Sequence, residues 1–312
     1  MTADWKDLLL WLNSQPTPQP EDVRARLKAT RMEWTEMDPR VRAETIKKLL
    51  DSGEDAATGV DFRVGLHGFL KGSPTLRVFL LDVLATSDPE MAMAIVRPLL
   101  DQTSSAEEYA VALRSLTRDG IGRAEDAELL TRFGRMLGRE EWQGSPGFAE
   151  ALDLARYVGS EEAARQLAKW NGNPLLKSMA LDEFTAQHPG VMSGVLITDS
   201  NIKSSDRATL MARANPEDPQ QLAAVDAYLR SPERSPEEAA AFLETFPLRS
   251  VTTGFRLYAE TPAPYTHERI VAGDLIALEQ VNAWVKDPAL EKYHAGLLPL
   301  QERLANWTKQ AR

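Results

Sequence analysis

Apolar residues recur along this chain at helical spacing. After Ser73 come Leu76, Phe79, Leu80, Val83 and Leu84, at i, i+3, i+4, i+7 and i+8. Ala106, Tyr109, Ala110, Leu113 and Leu116 follow Ser105 in the same way, and Leu176, Met179, Ala180 and Phe184 follow Asn173. A fourth set, Leu275, Leu278, Val281 and Val285, follows Asp274. These stripes predict short amphipathic helices. No run alternates in the manner of a half-buried strand. Ser250-Val251-Thr252-Thr253 is β-branched but short, and Val191 to Ile197, coming straight after Pro189, fits a buried helix better than a strand.

The polar positions that punctuate these stripes predict where the helices begin. Ten of the 19 prolines follow Asp, Asn or Ser: Pro39, Pro74, Pro89, Pro146, Pro174, Pro216, Pro219, Pro232, Pro236 and Pro288. A side-chain oxygen at the N-cap accepts from an unpaired amide of the first turn, and proline next in line gives up an N–H that had no partner there. Acids often come next, as in SPEEAA from Ser235, where they complement the positive end of the helix. Three start-to-start distances are 15 residues: Ser73 to Asp88, Ser145 to Ser160 and Asn173 to His188. That length holds a helix of roughly 11 residues and a short turn, so consecutive helices are expected to pack antiparallel.

The punctuation also repeats at long range. SPTLRVFLLDVLATSDPEM from Ser73 and NPLLKSMALDEFTAQHPGV from Asn173 share Pro74/Pro174, Leu76/Leu176, Leu81/Leu181, Asp82/Asp182 and Pro89/Pro189, all offset by 100. LRVFLLDVLATSDPEMAMAIVRPLL, with its Leu-rich first helix, Asp-Pro turn and a second helix containing Pro98, resembles HEAT or armadillo repeats over residues 58–200. The pattern departs from those repeats in lacking a regular Asp-and-Arg ladder and in its uneven spacing. The resemblance implies an all-α fold, an irregular α-solenoid of antiparallel helix pairs forming a HEAT-like superhelix. The expected organisation is an N-terminal helix (Trp5, Leu8, Leu9, Leu12) and proline-rich connector over 1–22, then a helical repeat domain over 23–312. ETPAPYTHE, from Glu260 to Glu268, reads as a further loop, and Gly120-Ile121-Gly122 as a helix break.

Composition narrows the chemistry. The 312 residues suffice for two compact domains or one elongated array. Net charge is −10, the wrong sign for a protein that reads a phosphate backbone, so no nucleic acid is expected. The most basic region, Arg24 to Lys48, holds eight cations; with Glu21 and Asp22 just before it, six acids offset them, and it reads as a solvated helix surface. The absence of cysteine excludes disulfides, thiol catalysis and thiolate metal sites. No apolar run approaches the ~20 residues of a membrane-spanning helix. MTADWKDLLLWLN lacks the form of a secretory signal, so the cytoplasm is the expected compartment, with export after removal of a signal as the alternative.

No familiar catalytic motif is present. The four histidines, His67, His188, His267 and His294, have no partner at i+4; His67 reads as a core or rim residue of an apolar helix, and His188 as a turn residue before Pro189. Of the acid pairs Glu107-Glu108, Glu140-Glu141, Glu161-Glu162 and Glu237-Glu238, three read as helix-start charges, and Trp142, Trp170 and Trp307 read as helix-end packing residues. No catalytic, binding or metal-ligating residue is assigned, and no cofactor. The expected function is a non-catalytic scaffold that binds a protein or peptide, basic or extended, on the surface of the array. The alternative is an α/α-toroid hydrolase or lyase acting through clustered carboxylates.

Overall fold

The computed structural model describes residues 5–117, 127–198, 202–248, 254–258 and 267–310. Gly120-Ile121-Gly122, Ser250 to Thr253 and most of the 260–268 loop lie outside the described residues. The described chain is all-α apart from one small ribbon. It divides into two compact units. Unit 1 comprises Met1–Val158 with Phe255–Thr261, and unit 2 Gly159–Gly254 with Pro262–Arg312.

Unit 1 contains α1 (Trp5–Leu12), α2 (Pro20–Thr35), α3 (Pro39–Ser52), α4 (Leu76–Leu84), α5 (Pro89–Gln102), α6 (Ala106–Thr117), α7 (Ala127–Leu137), α8 (Pro146–Ala151) and α9 (Asp153–Val158). Between α3 and α4 lies an antiparallel ribbon of β1 (Arg63–Val64) and β2 (Leu70–Gly72). Unit 2 contains α10 (Glu161–Lys169), α11 (Pro174–Gln187), α12 (Pro189–Thr198), α13 (Ser204–Met211), α14 (Pro219–Arg230), α15 (Pro236–Thr245), α16 (His267–Val285) and α17 (His294–Gln310). Val191 to Ile197 is helical, as its place after Pro189 predicts.

Seven of the ten polar-proline marks cap a helix: Asp38, Asp88, Ser145, Asn173, Asp218, Ser235 and, before a 3-10 turn, Asp287. Asp88 Oδ1 accepts from the Met91 amide at 3.1 Å, and Ser235 Oγ from the Glu238 amide at 3.1 Å. The other three fail for definable reasons. A helix begun at Pro216 would put Pro219 at its fourth position, and one begun at Pro232 would put Pro236 at its fifth. In either case proline would replace an N–H that the helix ladder needs, so the downstream cap starts the helix instead. Ser73-Pro74 is still extended: Pro74 O accepts from the Thr58 amide, Ala57 bridges Thr75, and Thr75 is the residue that caps α4. The ribbon here corrects the expectation of helix. His67 sits in it, exposed and at φ 55°, and not on an apolar helix.

Helix ends are closed by cations from neighbouring helices. Arg42 of α3 donates to Trp34 O and Thr35 O at the end of α2 and to Thr86 O after α4. Arg207 donates to Leu196 O of α12, and Arg303 of α17 to Leu243 O, Glu244 O and Phe246 O at the end of α15. These carbonyls have no partner within their own helix, and the negative end of the helix favours a cation. Arg42 is therefore buried, not part of a solvated surface.

Within each unit, helices pack on helices two places along the chain. In unit 1 these contacts are α2 on α4, α4 on α6, α6 on α8, α3 on α5 and α7 on α9; in unit 2 they are α10 on α12, α12 on α14, α11 on α13, α13 on α15 and α15 on α17. Ion pairs follow the same spacing. Arg77–Glu108, Arg97–Glu128, Asp101–Arg132, Asp182–Arg213 and Arg207–Glu238 each join residues 31 apart, and Asp82–Arg114 joins residues 32 apart. The N-terminal partner is an arginine in some pairs and an aspartate in others, so no ladder of one residue type runs along the sequence.

The core of unit 1 centres on α4 and α6. Every residue of α6 except Glu107 is buried. A helix buried all round must have its charges matched. Glu108 accepts from Arg77 at 2.6 Å, and Arg114 donates to Asp82 Oδ1 at 2.6 Å and to Gly68 O. Asp82, fully buried, also accepts from Arg31 of α2 and from the Leu70 amide of β2. A remote segment completes this core. The Tyr258 hydroxyl donates to Ala110 O at 2.9 Å, its amide to Asp153 Oδ2 at 3.0 Å, and Arg156 donates to Phe255 O at 2.9 Å.

Candidate binding site

The site begins with the sequence KWNGNP, from Lys169 to Pro174. Helix α10 ends at Lys169, and Trp170 turns the chain into extended backbone (φ −61°, ψ 126°) with its indole buried. Asn173 then starts α11 by accepting from the amides of Leu175 and Leu176 at 3.0 and 3.2 Å. The turn between them is tight enough that a Cβ on Gly172 would fall into the Trp170 indole ring. Glycine is required there by close approach.

One turn into α11, the Lys177 side chain reaches back and donates Nζ to Ala168 O at the end of α10. Burial lowers its pKa from the usual lysine value; Asp206 opposes that shift and Lys203 adds to it. Asp206, Thr209 and Leu210 come from α13, with Ile202 and Lys203 just before it. Asp182 of α11 is also part of the lining; Arg213 donates to it at 2.6 Å.

Together these residues enclose a groove of about 350 Å³ between the α10–α11 turn and α13. Its floor is apolar (Trp170, Pro174, Leu181, Ile202, Leu210), and its rim carries both signs of charge (Lys177, Lys203, Asp206). That size and make-up suit a few side chains of a ligand, with an apolar part seated on the floor and charges steered at the rim.

The residues singled out in the sequence do not gather into one site. Trp142 and Trp170 are buried at helix ends, Trp142 donating to Ser104 O at 2.9 Å, whereas Trp307 is 39% exposed. His188 ends α11 with its ring 5.2 Å from that of Phe184, and His294 begins α17. His267 and Glu268 open α16. Glu107-Glu108, Glu161-Glu162 and Glu237-Glu238 fall in first turns of helices, as read, and Glu140-Glu141 in a 3-10 turn. Glu108 and Glu238 are nonetheless buried in ion pairs, which a surface-charge reading does not foresee. Among the described residues, no group of three or more His, Asp or Glu is placed to hold a metal ion, and no helix is long and apolar enough to cross a membrane. Trp170 was visible in the sequence as a tryptophan beside Asn-Gly-Asn; α13, which forms the facing wall, carried no proline mark that would have located it. Comparison with protein-family models, curated proteins and solved structures finds no match to the chain.

Proposed function

We propose that this protein is a non-catalytic binding scaffold, with stacked helix pairs forming a repeat array within each unit, and that the groove of unit 2 holds an extended peptide. The observation that carries the reading is the groove itself, an apolar floor edged by Lys177, Lys203 and Asp206. The repeat character is supported by helix packing at every second place and by the ion pairs 31–32 residues apart. The expected occupant is a short segment with one apolar anchor side chain and a basic residue that meets Asp206. The exposed rim of Asp206 has no ion-pair partner within 4 Å among the described residues.

The rival reading, an enzyme using clustered carboxylates, calls for a carboxyl group pushed upward in pKa so that it can act as an acid. Asp218, Asp226, Glu237 and Asp287 are all shifted the other way, below the usual carboxylate values, chiefly by hydrogen bonds from Gln221, Arg230, the Glu237 amide and the Ala289 amide respectively.

The test is selection of a random 12-residue phage-displayed peptide library on the full chain, followed by calorimetric titration of the consensus peptide. Filling the groove with Thr209→Trp is expected to weaken binding at least tenfold, and Asp206→Lys to weaken it several-fold for a peptide bearing a basic residue. Unaltered affinity in both variants, or failure to enrich any consensus, would refute the proposal.

A further inference from the structure

A second concavity lies in unit 1, built from the basic stretch of α2. Arg24, Lys28 and Arg31 stand at i, i+4 and i+7, a spacing that places them along one helix face. With Lys71 of β2 they line a cavity of about 340 Å³, whose apolar surface comes from Leu27, Val60, Leu70 and Phe79. Among the described residues, none that lines it is acidic.

The charge balance around this cavity runs opposite to that of the chain. Acids outnumber Lys and Arg by 46 to 36 overall, yet four cations converge here. Many cations elsewhere are paired, as Arg77 is with Glu108, Arg132 with Asp101 and Glu128, and Arg213 with Asp182. Among the described residues, Arg24, Lys28 and Lys71 have no carboxylate within 4 Å. Arg31 is held by Asp82, but Asp82 is shared with Arg114, so that carboxylate is already matched by two guanidinium groups. Gathering like charges around a concavity is unfavourable unless a counter-anion occupies it.

The site is also preorganised. Asp82 anchors the Arg31 guanidinium, which lies 5.3 Å from the centre of the Phe79 ring. A fixed arginine loses little side-chain freedom on meeting an oxyanion. Arg24, Lys28 and Lys71 are exposed, so the approach is open. Along α3, Arg40 pairs with Asp88 and Lys47 with Asp51, which leaves Lys48 as the exposed cation of that helix without a carboxylate within 4 Å among the described residues. A nucleic-acid strand needs a basic stripe along which several phosphates are neutralised. An isolated basic cavity suits a compact ligand.

We propose that this cavity binds a small polyanion, a molecule carrying two or more phosphoryl or carboxylate groups on a compact body. The test uses the full chain, with tripolyphosphate, pyrophosphate, citrate and orthophosphate as probes in calorimetry and thermal melting at matched ionic strength. Tripolyphosphate is expected to bind at micromolar concentrations, orthophosphate at least about tenfold more weakly, and affinity to fall steeply between 50 and 300 mM salt, given a Debye length of about 10 Å at 0.1 M. Comparison of citrate with pyrophosphate distinguishes a carboxylate from a phosphoryl ligand. Lys28→Ala and Lys71→Ala are each expected to weaken binding about tenfold, the usual size of a charge-assisted hydrogen bond. Both side chains are exposed and their removal relieves like-charge repulsion, so melting without ligand should not fall below that of the wild type; Lys47→Ala, on the neighbouring helix, should bind as the wild type does. Absence of binding by every probe at millimolar concentration, or binding indifferent to Lys28 and Lys71, would overturn the proposal. So would a 12-nucleotide single strand that binds through the same residues more tightly than tripolyphosphate.

Discussion

Asp82 joins more of unit 1 than any sequence pattern around it suggests. It sits in LLDVL, indistinguishable by spacing from Asp182 in ALDEF, and both proved to face an arginine about 31 residues downstream. Asp82 is the more consequential, because it is fully buried and tied to α2, α6 and β2 at once. Asp82→Ala leaves the Arg114 guanidinium buried without its carboxylate, and is expected to cost about 3–5 kcal/mol in urea denaturation. Asp182→Ala also leaves a buried arginine, Arg213, but the Asp182 carboxylate is 19% exposed and ties α11 to that one arginine, so the cost should be smaller. Tyr109 gives a pH-dependent counterpart. Burial pushes its phenol up to about 12, and the hydroxyl donates to Arg132 O at 2.9 Å. Since the folded value lies above the unfolded value of about 10, its contribution is complete below pH 10 and is lost as pH rises towards 12. The stability difference between wild type and Tyr109→Phe should therefore shift against the wild type between pH 9 and pH 11.5. A constant difference would show that the phenol titrates alike in both states.

At the scale of helices, starts were legible and ends were not. A polar residue before proline is a local device that acts within four residues, so it can be read from sequence; Ser235 and Asp88 are examples. Its failures at Asn215 and Ser231 come from a second proline three or four residues on, and are themselves readable once the lost ladder bond is considered. Ser235→Ala is accordingly expected to cost about 1 kcal/mol, and Ser231→Ala less than about 0.5 kcal/mol, in the same denaturation assay. Helix ends depend on Arg42, Arg207 and Arg303, each reaching a carbonyl on another element, and such contacts have no sequence signature. The register of α16 was misread for a related reason. Its buried stripe is Ala277, Val281 and Trp284, while Leu275 is 39% exposed, because the helix begins at His267 and Asp274 is not a cap. The ribbon at Arg63–Gly72 is too short for alternation to show.

At the scale of the whole molecule, the all-α class follows from helical periodicity, whereas the division at Val158 and the return of Phe255–Thr261 to unit 1 do not. That segment is held by Asp153, Arg156 and Ala110, about 100 to 150 residues away in sequence, through contacts that only folding creates. Both concavities are likewise assembled from separate elements: α2 with β2 in unit 1, and the α10–α11 turn with α13 in unit 2. The sequence supplied their charged residues without showing that they share a cavity. The proposed scaffold would act by presenting preformed surfaces, so its ligands should bind without large backbone rearrangement. The most direct test is amide hydrogen exchange of the full chain with and without the consensus peptide selected on it. The account predicts protection concentrated at 170–182 and 202–210, the two walls of the unit 2 groove. Protection confined to other segments, with these two unchanged, would contradict it.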